Sequence, residues 1–459
     1  MASSDFHRDS TLARVALRVT VALAATLAVS RPSIAADDSR IEPALGPDPA
    51  VTKLIDGLGA KSSVELPPIR TVGEWNAVTK EYGMERTGPQ GRDYTIKAVW
   101  MPDRRRAFFC GANHGSPHRL NDAWEYDLPA NTWVMLFAPD PNNARGVMEV
   151  VEKEIPPFDP PQKKEGEKPP PGGTGPQPAK KVLIVQTKRG GPTHYGHTWW
   201  GLAYDPKMKA ALWMNAAIGE SPQAYVAQQK LPGEVYGGPP LWAFDPAQKK
   251  WDHVLTHEPR PKSGVGAMEY VPELGGVFWY QANWFAEGMW VYHPSQNAWK
   301  NLEPNGGENL YFHKETPKAS AVMAYDRDRK TVVAILGRTT HHYDVAKNAW
   351  SLVLDESDQV EATFNARESV TPFHYDPIGK VCLLYSPTTP DSVWSYSAGE
   401  KKWTRNRVAG AAGPRGGKFI AYFDEARNAL VVNTGANTWL YRHEPQRVSP
   451  TGAPRDRGE

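Results

Sequence analysis

Cysteine is almost missing from this 459-residue chain: Cys110 and Cys382 are the two present. A disulfide-stapled scaffold is excluded, and the core must hold by packing alone. Charge of one sign is also missing, since 53 Lys and Arg face 51 Asp and Glu for a formal +2. The bulk electrostatics therefore give no reason to expect nucleic acid as a partner. Beyond the N-terminal region no apolar run approaches the roughly 20 residues that cross a bilayer as a helix. No Gly-x-Ser-x-Gly elbow occurs, so a serine nucleophile of that type has no support. What the chain has instead is 17 Trp, 39 Gly and 42 Pro, a mixture suited to short strands and many turns.

The N-terminus reads as a targeting segment. Arg8, Arg14 and Arg18 precede the uncharged run Val19 to Val29, and Ser33-Ile34-Ala35-Ala36 follows before the acidic Asp37-Asp38. A basic region, a short apolar core and small residues are the parts of a cleavable signal peptide. The sequence thus divides into a signal peptide over 1–36, a lead segment over 37–72, a repeat region over 73–443 and a disordered tail over 444–459. The mature chain is expected outside the cytoplasm, periplasmic or secreted, with no membrane span.

The repeat rests on aromatic spacing. Tyr126 and Trp133, Phe244 and Trp251, Tyr292 and Trp299, Tyr343 and Trp350, and Tyr396 and Trp403 are each seven positions apart. Turn chemistry lies between them, as in Asp245-Pro246-Ala247-Gln248, so each pair marks a β-hairpin. Upstream of the hairpins an apolar strand ending near Tyr-Asp, a polar turn and a second apolar strand recur. Leu202-Ala203-Tyr204-Asp205 before Ala211 to Met214, and Met323-Ala324-Tyr325-Asp326 before Thr331 to Ile335, are examples. Four short antiparallel strands repeated every ~40 to 50 residues are the signature of propeller blades. The expected fold is all-β: a six-bladed β-propeller of four-stranded antiparallel blades, closed by an N-terminal strand in the last blade. Gly73 to Val78, around Trp75, is the strand expected to close it. The Pro-rich stretch 155–181 cannot form a packed core and reads as an insertion. Val147 to Glu152 and Val182 to Thr187 flank it as a possible ribbon, against the alternative of a seventh blade.

These units resemble kelch repeats, as in kelch proteins and the central domain of galactose-oxidase-like proteins. The resemblance spans about Trp75 to Tyr441, although the family's paired glycines are reduced here to Cys110-Gly111, Ala216-Ala217 and Asn433-Thr434. It implies the propeller fold and, for the oxidases, copper held by two His and two Tyr. That ligand set cannot be placed on this sequence, so no cofactor and no metal are expected.

Propeller ligands usually meet loops between the second and third strands and loops leading into the first. Candidate ligand-binding residues are therefore His114, His118, Arg119, His194, His197, Asn283, Trp284, Arg338 and His341. Catalytic residues are not identifiable from sequence. The expected function is a binding or interaction module for a protein or glycan partner, with a carbohydrate-active oxidase or epimerase as the alternative.

Overall fold

A computed structural model describes residues 46–72, 89, 97–111, 121–140, 147–159, 175–193, 198, 200–214, 222–262, 266–281, 288–306, 321–336, 339–355, 371–415 and 419–445. Within these, the seven-residue aromatic spacing is strand register. Each of the five Tyr or Phe residues lies directly opposite its Trp on the neighbouring strand. Their ring centroids are 4.9–5.3 Å apart, a contact that adds ~0.5–1.5 kcal/mol per pair to simple area burial.

The turns follow from side-chain chemistry. At the start of a hairpin turn an Asp carboxylate accepts from the backbone two and three residues on, as Asp245 does from Ala247 and Gln248 at 2.8 and 3.0 Å. The turn ends on a left-handed residue: Lys209, Lys249, Lys330, Asn348, Lys380 and Asn428 all have φ between 47° and 55°. Asparagine tolerates that region better than most residues because its short amide can bond locally.

Six sheets of this kind form a ring. Their innermost strands are Val99–Met101, Leu202–Asp205, Gly266–Val271, Ala321–Asp326, Phe373–Asp376 and Ile420–Asp424. Each touches the next in that order and the last touches the first. We number the blades 1 to 6 accordingly. Buried residues such as Phe108, Phe244 and Trp251 fill the space between blades, as the face-to-face packing of twisted sheets demands.

The N-terminal strand that closes blade 6 is Ser62–Glu65. It runs antiparallel to Thr438–Arg442, with Ser63 opposite Tyr441 and Val64 opposite Leu440. Ser62–Glu65 thus precedes the expected start of the repeat region at residue 73, and Gly73 to Val78 lies outside the described residues. Two further pairings give the same assignment. Ala409–Gly410, leaving blade 5, pairs in parallel with Ser62–Ser63, and Arg70–Val72, leaving blade 6, pairs in parallel with Thr132–Val134 of blade 1. In both cases the segment that leaves one blade's outer strand lies along the outer strand of the next.

The insertion is a two-stranded ribbon, Met148–Ile155 against Lys180–Thr187, and not a blade. The helix Pro222–Gln229, absent from the sequence reading, supplies Tyr225 and Val226 to a small core with Leu183 and Val185 of the ribbon. Cys110 and Cys382 are buried in blades 1 and 5 and form no disulfide. Among the described residues no helix is long and apolar enough to cross a membrane.

Candidate functional site

The residue before the last of every innermost strand is aromatic: Trp100, Tyr204, Tyr270, Tyr325, Tyr375 and Phe423. Matching register against the second strand puts all six at one level of the ring. Together they wall a cavity of about 340 Å³ at one end of the central channel. Pro102, Pro206 and Pro272, from turns between first and second strands, form its rim. The residue preceding each aromatic, on the other face of its strand, also lines the cavity, Ala203, Glu269, Ala324, His374 and Tyr422 among them.

Three of the tyrosines are anchored from outside the cavity. The Tyr204 hydroxyl donates to Asp103 at 2.5 Å, that of Tyr375 to Asp328 at 2.6 Å, and that of Tyr325 to Glu273. In each case the carboxylate belongs to the first turn of the preceding blade. Burial first, and then these acceptor carboxylates, push the three phenols above their ordinary pKa. They therefore stay neutral, and their donors are spent on the rim.

Beneath the aromatic walls lies a polar floor that spans the axis. Lys97, just ahead of blade 1, places Nζ 2.6 Å from the Met268 carbonyl and 2.7 Å from Glu269 Oε1 in blade 3. Trp200, just ahead of blade 2, donates its indole N–H to Glu269 Oε1 at 3.1 Å and to the Met323 carbonyl of blade 4 at 2.8 Å. The Lys97 ammonium sits 5.3 Å from the centre of the Trp200 ring, and His374 of blade 5 packs on the same indole at 5.6 Å. Burial drives Lys97 down and Glu269 up from their usual pKa values, while contact with each other opposes both shifts. Burial, aided by the Lys97 charge, lowers His374 to about 3.

The mouth's cations are already matched with acids. Arg327 meets Glu425 at 2.6 Å, Lys380 meets Asp328 at 3.0 Å and Lys330 approaches Glu273 at 3.9 Å. A second cavity of about 500 Å³ has Arg104, Arg105, Arg106 and Arg427 in its wall. Three of these arginines are bound to Glu125, Asp127 or Asp424, which leaves little free charge to attract an anion.

The aromatic mouth lies where first strands turn into second strands, and none of the residues expected from the sequence to bind a ligand is among the described residues that line it. His114, His118, Arg119, His194, His197, Asn283, Trp284 and Arg338 lie outside the described residues. His341 is not on a loop. It sits within the strand Thr339–Asp344, 7% exposed, with Nε2 2.8 Å from Thr339 Oγ1. The mouth had a sequence signal in the Tyr-Asp pairs ending first strands. That signal read as turn chemistry because the aromatic at the same level is Trp100 in blade 1 and Tyr270 before Val271 in blade 3.

No family model and no curated protein sequence matches the chain. Among solved structures it is similar to a chain of "Crystal Structure of Mitotic Checkpoint Complex", at 10% identity and a TM-score of 0.40, covering 88% of this chain and 96% of that one. It is likewise similar to "Crystal structure of RRP9 WD40 repeats", at 9% identity and a TM-score of 0.40, covering 78% and 96%.

Proposed function

We propose that this chain is an exported, kelch-type propeller that acts as a binding module and takes a protein partner at the aromatic mouth of its channel. The observation that carries the reading is the recurrence of an aromatic side chain at one register level in all six blades, around an open cavity. All six also pack in or against the cores between blades, and all six line the same cavity. A concave, mostly apolar site with a few convergent polar groups is the usual form of a ligand pocket. The opposed Tyr and Trp pairs support the kelch reading, and the N-terminal segment supports export.

Chemical crosslinking of the full chain to its partner, followed by peptide mapping, tests this. Crosslinks are expected at Lys330 and Lys380, beside the mouth. A partner held equally well by Trp100→Ala and Tyr270→Ala chains, with crosslinks confined to the opposite face, would sink the proposal.

A further inference from the structure

We propose that the mouth receives an arginine guanidinium projected by the protein partner; this rests on the mouth being the binding site. The walls offer ring faces, and the hydroxyls of Tyr204, Tyr325 and Tyr375 are turned to rim carboxylates. Donation to an anion polarises a phenol and enriches its ring, which strengthens attraction for a cation over its face.

The floor is an acceptor surface. Glu269 is partly exposed, and its second carboxylate oxygen takes no hydrogen bond among the described residues. His374 is nine-tenths buried in the cavity wall, and its Nε2, itself withdrawn from solvent, has no hydrogen-bond partner among the described residues. A neutral imidazole retains one ring nitrogen as an acceptor. Lys97 and Trp200 point their donors at Glu269 and at backbone carbonyls. A guest therefore meets acceptors at the floor, while the Trp100 indole and the Tyr270 hydroxyl, which make no hydrogen bond among the described residues, remain as donors on the walls.

Charge favours a cation for the same site. Lys97 and Arg327 are neutralised by Glu269 and Glu425, whereas Asp103, at the rim, has no ion-pair partner among the described residues. The axis already holds one cation on an aromatic face, Lys97 over Trp200. A guanidinium is planar, stacks on flat rings and carries five donors in a fixed fork, so it suits aromatic walls above several acceptors. A sugar would find donors at Trp100 and Tyr270, but it brings no charge to complement Asp103.

Saturation-transfer NMR and calorimetry on the full chain test this with three probes: a blocked Gly-Arg-Gly tripeptide, its citrulline isostere and maltose. The arginine peptide should bind saturably, and the uncharged isostere about tenfold more weakly or worse. Trp100→Leu and, as a second variant, Tyr270→Leu should each abolish that binding while the near-UV circular dichroism stays native. Citrulline or maltose binding as tightly, with the same dependence on Trp100 and Tyr270, overturns the guanidinium assignment and leaves the mouth as a site. Absence of saturable binding that depends on these residues, for all three probes, overturns both.

Discussion

Lys97 and Glu269 meet across the channel axis, Nζ to Oε1 at 2.7 Å, although one precedes blade 1, the other lies in blade 3, and 172 residues separate them in sequence. Both are largely withdrawn from water, with side-chain exposures of 5% and 17%. Replacing Glu269 by Ala would strand the ammonium without its partner, which costs ~3–5 kcal/mol when one member of a buried pair is removed. Replacing both, as Lys97→Met with Glu269→Leu, should recover most of that loss, since no charge remains to be desolvated. Urea midpoints of the three proteins give the comparison. An unchanged midpoint for Glu269→Ala would show that the pair is not coupled to folding.

Acid should weaken the ring well before general acid denaturation. Burial lowers His253 and His374 to about 3 each, from an ordinary value near 6.5. Below pH 6.5 the unfolded chain takes up protons that the folded chain refuses, so stability falls as pH drops from 6.5 toward 3. At pH 5 the loss is ~2 kcal/mol for each histidine. Asp424 opposes this, because burial raises it to about 6. Its folded form binds a proton that the unfolded form releases, which returns ~1 kcal/mol at pH 5. The three groups together predict a net loss of ~3 kcal/mol between pH 7 and pH 5. Unfolding midpoints across that range should show it, and His253→Gln should flatten the profile. A profile as steep in the variant as in the parent would refute the assignment.

Asparagine at the turn between third and fourth strands joins blades as well as shaping the turn. Asn297, at φ 47°, accepts from the Tyr292 hydroxyl at 2.9 Å and donates to the Leu255 carbonyl of the preceding blade at 2.7 Å. Asn131 and Asn348 do the same with Tyr126 and Pro67, and with Tyr343 and Leu302. Asn297→Ala should cost ~3 kcal/mol, from two hydrogen bonds and a strained left-handed alanine. Asn297→Gly should cost ~1 kcal/mol less, because glycine relieves the backbone part alone. Thermal or urea unfolding resolves the two; equal losses would mean that backbone conformation contributes nothing.

Removing the N-terminal strand should open the ring. A chain beginning at Arg70 lacks Ser62–Glu65 and leaves Thr438–Arg442 as an exposed edge with unpaired backbone groups. Such edges recruit other strands, so light scattering should report self-association and the unfolding midpoint should fall. A monodisperse truncated chain with an unchanged midpoint would show that closure does not depend on this strand.

The blades were readable because their signal is local. A Tyr and a Trp seven residues apart face each other only if the chain reverses between them, and the Asp and the Lys or Asn around the turn report that reversal independently. The closing strand was harder to read. Ser62 to Glu65 carries no aromatic partner for a hairpin, and Trp75 offered a better likeness to an outer strand. What marks Ser62–Glu65 is its place between Thr438–Arg442 and Ala409–Gly410, a relation of segments more than 340 residues apart. The helix Pro222–Gln229 was missed because two buried residues, Tyr225 and Val226, are too few to show a helical period.

Spacing and turn chemistry alone thus determined four-stranded units, their number and the need for an N-terminal strand to complete the last. Tertiary structure decided which strand completes it, and which side chains converge on the axis. Six aromatics scattered from Trp100 to Phe423 become one wall only when the ring brings equal register positions to one level. Lys97, Trp200, Glu269 and His374 become one floor for the same reason: closure turns separation along the chain into proximity across a channel.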